Sequence, residues 1–188
     1  MDAIETWKTT DGNTCSVYYD QECGFESPRE WDNLGKIIVD DGCKYVENEE
    51  TPMDEEWGEK LLKWNSHEED EEALREKYPY VFPLYVLDHS AVAFSIGFIN
   101  SPWGHWDCGQ IGWIVVTRED AEKEKVTTWE RAHEIIEAEL DILTKWANGE
   151  VYGFVVTDPD GNHVDSCWGY YSIEDIKAEY PEIEEAEA

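Results

Sequence analysis

Residues 78–117, YPYVFPLYVLDHSAVAFSIGFINSPWGHWDCGQIGWIVVT, hold only two acids, Asp88 and Asp107, and no Lys or Arg, in a chain of 188 residues with 45 Asp plus Glu. A stretch that excludes charge in so acidic a chain has to line the interior. Val81 to Leu87 and Ala91 to Gly97 are β-branched and aromatic runs joined at Asp88-His89-Ser90, and Gln110 to Thr117 is a third after the Pro102-Trp103-Gly104 break. Such runs bounded by turn residues predict strands. Two more are predicted at Val151 to Thr157 and His163 to Trp168, separated by Asp158-Pro159-Asp160-Gly161-Asn162, which suits a hairpin loop. An earlier strand is predicted near Cys15 to Tyr19 and another near Ile37 to Val39.

Between the strand segments, Trp129, Ala132, Ile135, Ile136, Leu140, Leu143 and Trp146 recur at helical spacing and predict one long amphipathic helix from Thr128 to Asn148. Thr127 or Thr128 caps its start and Gly149 stops it. Glu130, Glu134, Glu137, Glu139 and Asp141 are expected on its outer face. Shorter acidic helices are predicted at Met53 to Trp64, Glu69 to Lys77 and Ile173 to Tyr180, the last capped by Ser172. The resulting fold class is α+β, a mainly antiparallel sheet of about five to seven strands with the long helix packed on it. No linker or fixed-period repeat divides the chain, so a single domain is expected over residues 1–180, followed by a disordered acidic tail over 181–188.

The formal net charge of -31 decides what the surface can touch. It repels nucleic-acid backbones and anionic lipid, and no basic patch offsets it. Spread over the surface of a monomer this size, the charge is roughly a third as dense as on B-DNA. A mimic of the duplex would therefore need its carboxylates gathered on one face. Residues 47–76, with 13 acids and three bases, form the densest acidic stretch, and its Glu68, Glu69, Asp70, Glu71 and Glu72 join Glu130, Glu134 and Glu137 as candidate partner-binding residues. No run of 18 apolar residues and no secretory signal is present, so no membrane span and a cytoplasmic setting are expected. Five scattered cysteines, Cys15, Cys23, Cys43, Cys108 and Cys167, read as reduced thiols rather than a disulfide framework. Molar-salt adaptation is a competing source of the acidity, although Lys (10) exceeds Arg (4) and Glu (29) exceeds Asp (16).

Signatures of chemistry are sparse. Asp88, His89, Asp107 and Cys108 supply the residue types of a Cys-His-Asp nucleophile, without an elbow or oxyanion glycine pattern to frame them. His105 and Cys108 have the spacing of two zinc ligands but no second close pair, so no metal or cofactor is expected. Asp158 to Asn162 lacks the spacing and closing Glu of a calcium loop. Trp103, Trp106 and Trp113 around one loop raise either a small ligand pocket or, more simply, core filling. Arg29, one of four arginines, stands beside Glu30, Asp32 and Asn33, an expected polar cluster in which the guanidinium pairs with the local acids and Asn33-Leu34-Gly35 turns the chain.

Five blocks, Ser27 to Gly35, Pro83 to Ser90, Gly109 to Ile114, Gly149 to Phe154 and Asp165 to Tyr171, resemble in order and spacing a family of small uncharacterised proteins encoded by bacterial and archaeal viruses and prophages. The likeness spans residues 15–171. Two departures are Ala91, where that family has Gly after Asp-His-Ser, and Trp106-Asp107-Cys108-Gly109 beside an extra Gly104-His105, where it has Trp-Asp-Ser-Gly. The resemblance implies a viral setting rather than a reaction. Together with the charge, it makes the leading expectation a non-enzymatic accessory protein that binds a basic surface on a host protein. One form of this is a DNA-mimic-like inhibitor of a nucleic-acid-binding defence factor. The alternatives are an enzyme or small-molecule binder using Asp88, His89, Asp107 and Cys108, and a halophilic protein whose acidity is salt adaptation alone.

Overall fold

A computed structural model describes residues 2–21, 26–39, 43–50, 67–98 and 107–183, with the side chains of residues 67–70 outside that set. The fold is α+β, built on two antiparallel four-stranded sheets. The strands are β1 (Glu5–Lys8), β2 (Thr14–Tyr19), β3 (Lys36–Val39), β4 (Tyr80–Asp88), β5 (Val92–Ser95), β6 (Cys108–Val116), β7 (Tyr152–Thr157) and β8 (His163–Tyr170). The helices are α1 (His67–Lys77), α2 (Arg118–Lys123), α3 (Trp129–Ala147) and α4 (Ile173–Glu179), with a 3-10 turn at Pro28–Glu30. The predicted helix from Met53 to Trp64 lies outside the described residues. Where one sheet is expected there are two, and the chain gathers into two compact units, Met1–Pro28 with Lys145–Ala188, and Arg29–Thr144. Strand-forming runs do not say which runs pair, and β2 pairs with β7 from the far end of the chain, Thr14 opposite Thr157.

The first unit has the sheet order β1-β2-β7-β8. Alternation puts Trp7, Cys15, Val17, Phe154 and Val156 on one face, where α4 covers them with Ile176. The Trp7 indole donates to the Tyr180 carbonyl at 2.7 Å. Burial, with the nearby charge of Glu179, pushes the Cys15 thiol up to about 11, so it stays protonated. Ser172 caps α4 as expected, its hydroxyl accepting from the Asp175 N–H at 3.3 Å. Residues 181–183, expected as the start of a disordered tail, instead join the β1 end of the sheet. Thr10 N–H donates to the Pro181 carbonyl at 3.0 Å, and Ile183 N–H to the Lys8 carbonyl at 2.9 Å.

The Asp158–Asn162 loop is the predicted hairpin connection. The Asp158 carboxylate accepts the backbone N–H groups of Asp160 (2.9 Å) and Asn162 (2.8 Å) and the Asn162 side-chain amide (2.9 Å). The Asn162 side chain, then these backbone donors, hold the carboxyl below its ordinary value of 3.8. A lowered carboxyl contributes stability that is whole above 3.8 and lost only as pH falls through the folded value. The side-chain NMR titration of Asp158 is therefore expected to have its midpoint below 3.8, and a midpoint at or above 3.8 contradicts this bonding.

The second unit has the sheet order β3-β6-β4-β5. Register aligns Ile38, Trp113 and Pro83 across one face and Ile37, Ile114 and Phe82 across the other. Leu74 of α1 and Tyr78, the residue just past its end, pack with Ile38, Val81, Trp113 and Val115 on the first face. On the second, the Phe82 ring meets Trp129 of α3 at 5.6 Å. Cover on both faces is why Trp113–Val116 reads as an unbroken apolar run rather than an alternating one. Thr128 caps α3, accepting from Arg131 N–H at 3.2 Å, and Gly149 at φ +70° follows its end. Among the described residues, no helix is long and apolar enough to cross a membrane.

Candidate functional site

Helix α3 sorts its acids by angle. At about 100° per residue, Glu130, Glu134, Glu137 and Asp141 fall in one stripe opposite the buried Ala132, Ile136 and Leu143. All four are exposed. Glu139, expected among them, is about 180° around the wheel from Glu130 and turns inward instead. Within the stripe, Glu134 pairs with Arg131 at 2.9 Å and Glu137 lies 3.2 Å from His133 Nδ1. Surface contacts of this kind contribute little stability and leave the carboxylates able to take a partner's cations. Four carboxylates along about 16 Å of axis give one per roughly 5 Å, against one per 3.4 Å along a DNA strand.

The inward Glu139 belongs to the Arg29 cluster. Arg29, its side chain 9% exposed, donates Nε and Nη2 to the two Glu49 oxygens at 2.7 and 2.6 Å, and Nη2 also to the Gly35 carbonyl at 2.5 Å. Its Nη1 lies 3.5 Å from Glu139, which also accepts the N–H groups of Leu34 (2.6 Å) and Gly35 (3.2 Å). Glu49 accepts Ile37 N–H at 3.0 Å. Burial alone would lower the Arg29 pKa, but the bonds and charge of Glu49, reinforced by Glu139, hold it above its ordinary value. Burial raises the Glu139 carboxyl, and its donors offset this only in part. Beyond the local acids expected around it, Arg29 is thus held by two carboxylates from far along the chain, Glu49 and Glu139. Asp32 pairs with Lys123, and the Asn33 side chain bonds the Trp31 carbonyl at 3.0 Å; Glu30 closes the 3-10 turn. With Arg29 clamped between two acids, the cluster is a brace joining β3, the preceding turn and α3.

The thiol candidates are separated. His89 Nδ1 lies 3.3 Å from the Asp107 carboxylate, and Asp88 N–H bonds the Asp107 carbonyl at 2.8 Å. Asp88's carboxylate is taken by Lys44 (2.8 Å) and Tyr45 (2.7 Å), which pull its pKa down. Cys108 is buried opposite Leu87, and strand alternation sends it to the other face from its neighbour Asp107. A histidine-acid contact and a buried thiol on opposite faces do not make an activated nucleophile. Trp113 is core, while Trp103, His105 and Trp106 lie outside the described residues. Of the acidic segment, Glu71 bonds Arg75 at 2.6 Å and Glu72 is exposed on α1. Glu68, Glu69 and Asp70 lie in α1 with their side chains outside the described set, and Cys23 is also outside it.

A groove that sequence reasoning missed runs between β5 and α3. It has a volume of about 210 Å³, with buried Phe94 and Leu140 beneath and exposed Glu137 and Asp141 at its rim. Thr144 Oγ1 accepts the Phe94 N–H at 3.0 Å and ties the outer edge of β5 to the helix. Only the i, i+4 spacing of Glu137 and Asp141 is visible beforehand, because the strand opposite them is set by tertiary pairing. No family model, curated protein or solved structure matches this chain.

Proposed function

We propose that this chain is a non-enzymatic accessory protein of a virus or prophage. In this reading it works in the host cytoplasm, where the outer face of α3 docks on a basic surface of a host protein. The observation that carries the reading is the exposed stripe Glu130, Glu134, Glu137 and Asp141 on a helix whose inner face is bonded into a core. A rigid row of carboxylates in a chain of net charge -31 attracts cationic surfaces at a distance and fixes their register on contact. Its spacing, wider than that of phosphates, favours a few cationic side chains over the full imitation of a duplex. The viral setting rests on the five sequence blocks.

Charge reversal tests the docking face. Glu130→Lys with Glu134→Lys is expected to leave folding within about 0.5 kcal/mol, as surface changes usually do. The same pair is expected to weaken capture of the basic partner by about tenfold or more. Undiminished capture by a folded variant overturns the docking face. Thermal unfolding of the wild-type chain in low-salt buffer separates salt adaptation, which requires collapse there, from a surface kept for binding.

A further inference from the structure

We propose that the β5–α3 groove is a socket for one arginine side chain of the basic partner, an inference that rests on α3 being the docking face. Size narrows the occupant first. About 210 Å³ is below the roughly 300 Å³ at which pockets begin to enclose metabolites and cofactors, yet above the roughly 150 Å³ that admits a benzene ring. One side chain fits that range. Polarity narrows it further, because Phe94 (7% exposed), Leu140 (1%) and Ile96 give an apolar base, while Glu137 and Asp141 stand at the rim one helical turn apart. The complementary group has an apolar stem and a cationic head.

Arginine meets this better than lysine. Side chains four apart on a helix stand about 5–6 Å apart at their Cβ atoms, so a planar fork of donors can bond both carboxylates at once, whereas an ammonium is a point charge. The guanidinium is also the more weakly hydrated cation and gives up less on entering a half-open groove. An anion is opposed by the rim and by the net charge of -31. Thr144, by holding Phe94 N–H, fixes the strand against the helix so that the groove is present before a partner arrives.

The test uses the full-length ¹⁵N-labelled protein titrated with N-acetyl-arginine methylamide and, in parallel, with its neutral isostere N-acetyl-citrulline methylamide. The arginine probe is expected to shift the amide signals of Phe94, Ser95 and Thr144 saturably and to bind about tenfold or more tightly than citrulline, as a charge-assisted pair should. Glu137→Gln with Asp141→Asn is expected to remove that preference. Equal binding of the two probes, no saturable shift, or a preference that survives the double variant overturns the socket. The Glu130→Lys, Glu134→Lys protein separates the two proposals. If it loses the partner while the wild-type groove ignores arginine, the socket alone fails. If it keeps the partner while arginine still binds the groove, the docking face alone fails.

Discussion

Arg29→Ala is expected to destabilise the chain by about 3–5 kcal/mol, because it strands two shielded carboxylates. Glu49 and Glu139 are 19% and 14% exposed and share one guanidinium. Against a typical total of about 5–15 kcal/mol, that loss is a large fraction of all the stability available. Replacing the whole cluster by apolar residues, often harmless for buried ion pairs, is expected to cost here too. Glu49 and Glu139 also accept the N–H groups of Ile37, Leu34 and Gly35, each worth about 1–3 kcal/mol if left buried without a partner. The pH dependence has a definite sign. The Glu139 carboxyl is already raised above its ordinary 4.5, and removing Arg29 raises it further. A raised carboxyl binds its proton more readily in the folded state, so stability falls as pH rises through the window above 4.5. Urea unfolding is therefore expected to show a deficit for Arg29→Ala that is largest near neutral pH and shrinks toward pH 4.5. A deficit under about 1 kcal/mol at neutral pH would show that the cluster is not a brace.

Gly112→Ala is expected to cost about 3 kcal/mol, at the upper end of overpacking effects. A Cβ at Gly112 would stand 2.1 Å from the Ile38 carbonyl oxygen, and that neighbour is backbone, which cannot rotate aside. Gly112 is opposite Val39 on one side and Leu84 on the other, so the strain falls on the join between β3 and β6. Hydrogen exchange should show it as faster exchange across β3, with α4 unaffected, and unchanged protection in β3 contradicts the close approach. Val39 N–H, held by the Asn48 side chain at 3.2 Å, is the natural reporter.

Local signals carried much of this fold. The β-branched runs at β4, β6 and β7, the 3.6-residue period of α3 and the Ser172 cap all depend on neighbours within a few positions, and those elements stand where they are expected. Pairing was not legible in the same way. Nothing near Val17 announces Phe154 as its partner, so strand runs alone predict a single sheet where the chain forms two. The four residues of β1 carry no local strand signal, because Thr6 and Lys8 are polar and only Trp7 is buried. Glu139 is legible in the sequence by its angle on the helix, which sets it apart from Glu130, whereas composition alone places it with the other acids. Its partner Arg29 and the groove beside β5 depend on chain segments that tertiary pairing alone brings together.

The most direct measurement of the central claim is capture of partners by the full-length protein from host lysate at low and at high salt, with the Glu130→Lys, Glu134→Lys variant alongside. Attraction between exposed charges fades as the screening length falls from about 10 Å at 0.1 M salt to about 3 Å at 1 M. The expected result is a basic protein held at low salt, released at high salt and missing from the variant. A partner that withstands high salt, or that binds the variant as well as the wild type, contradicts docking through the acidic face of α3.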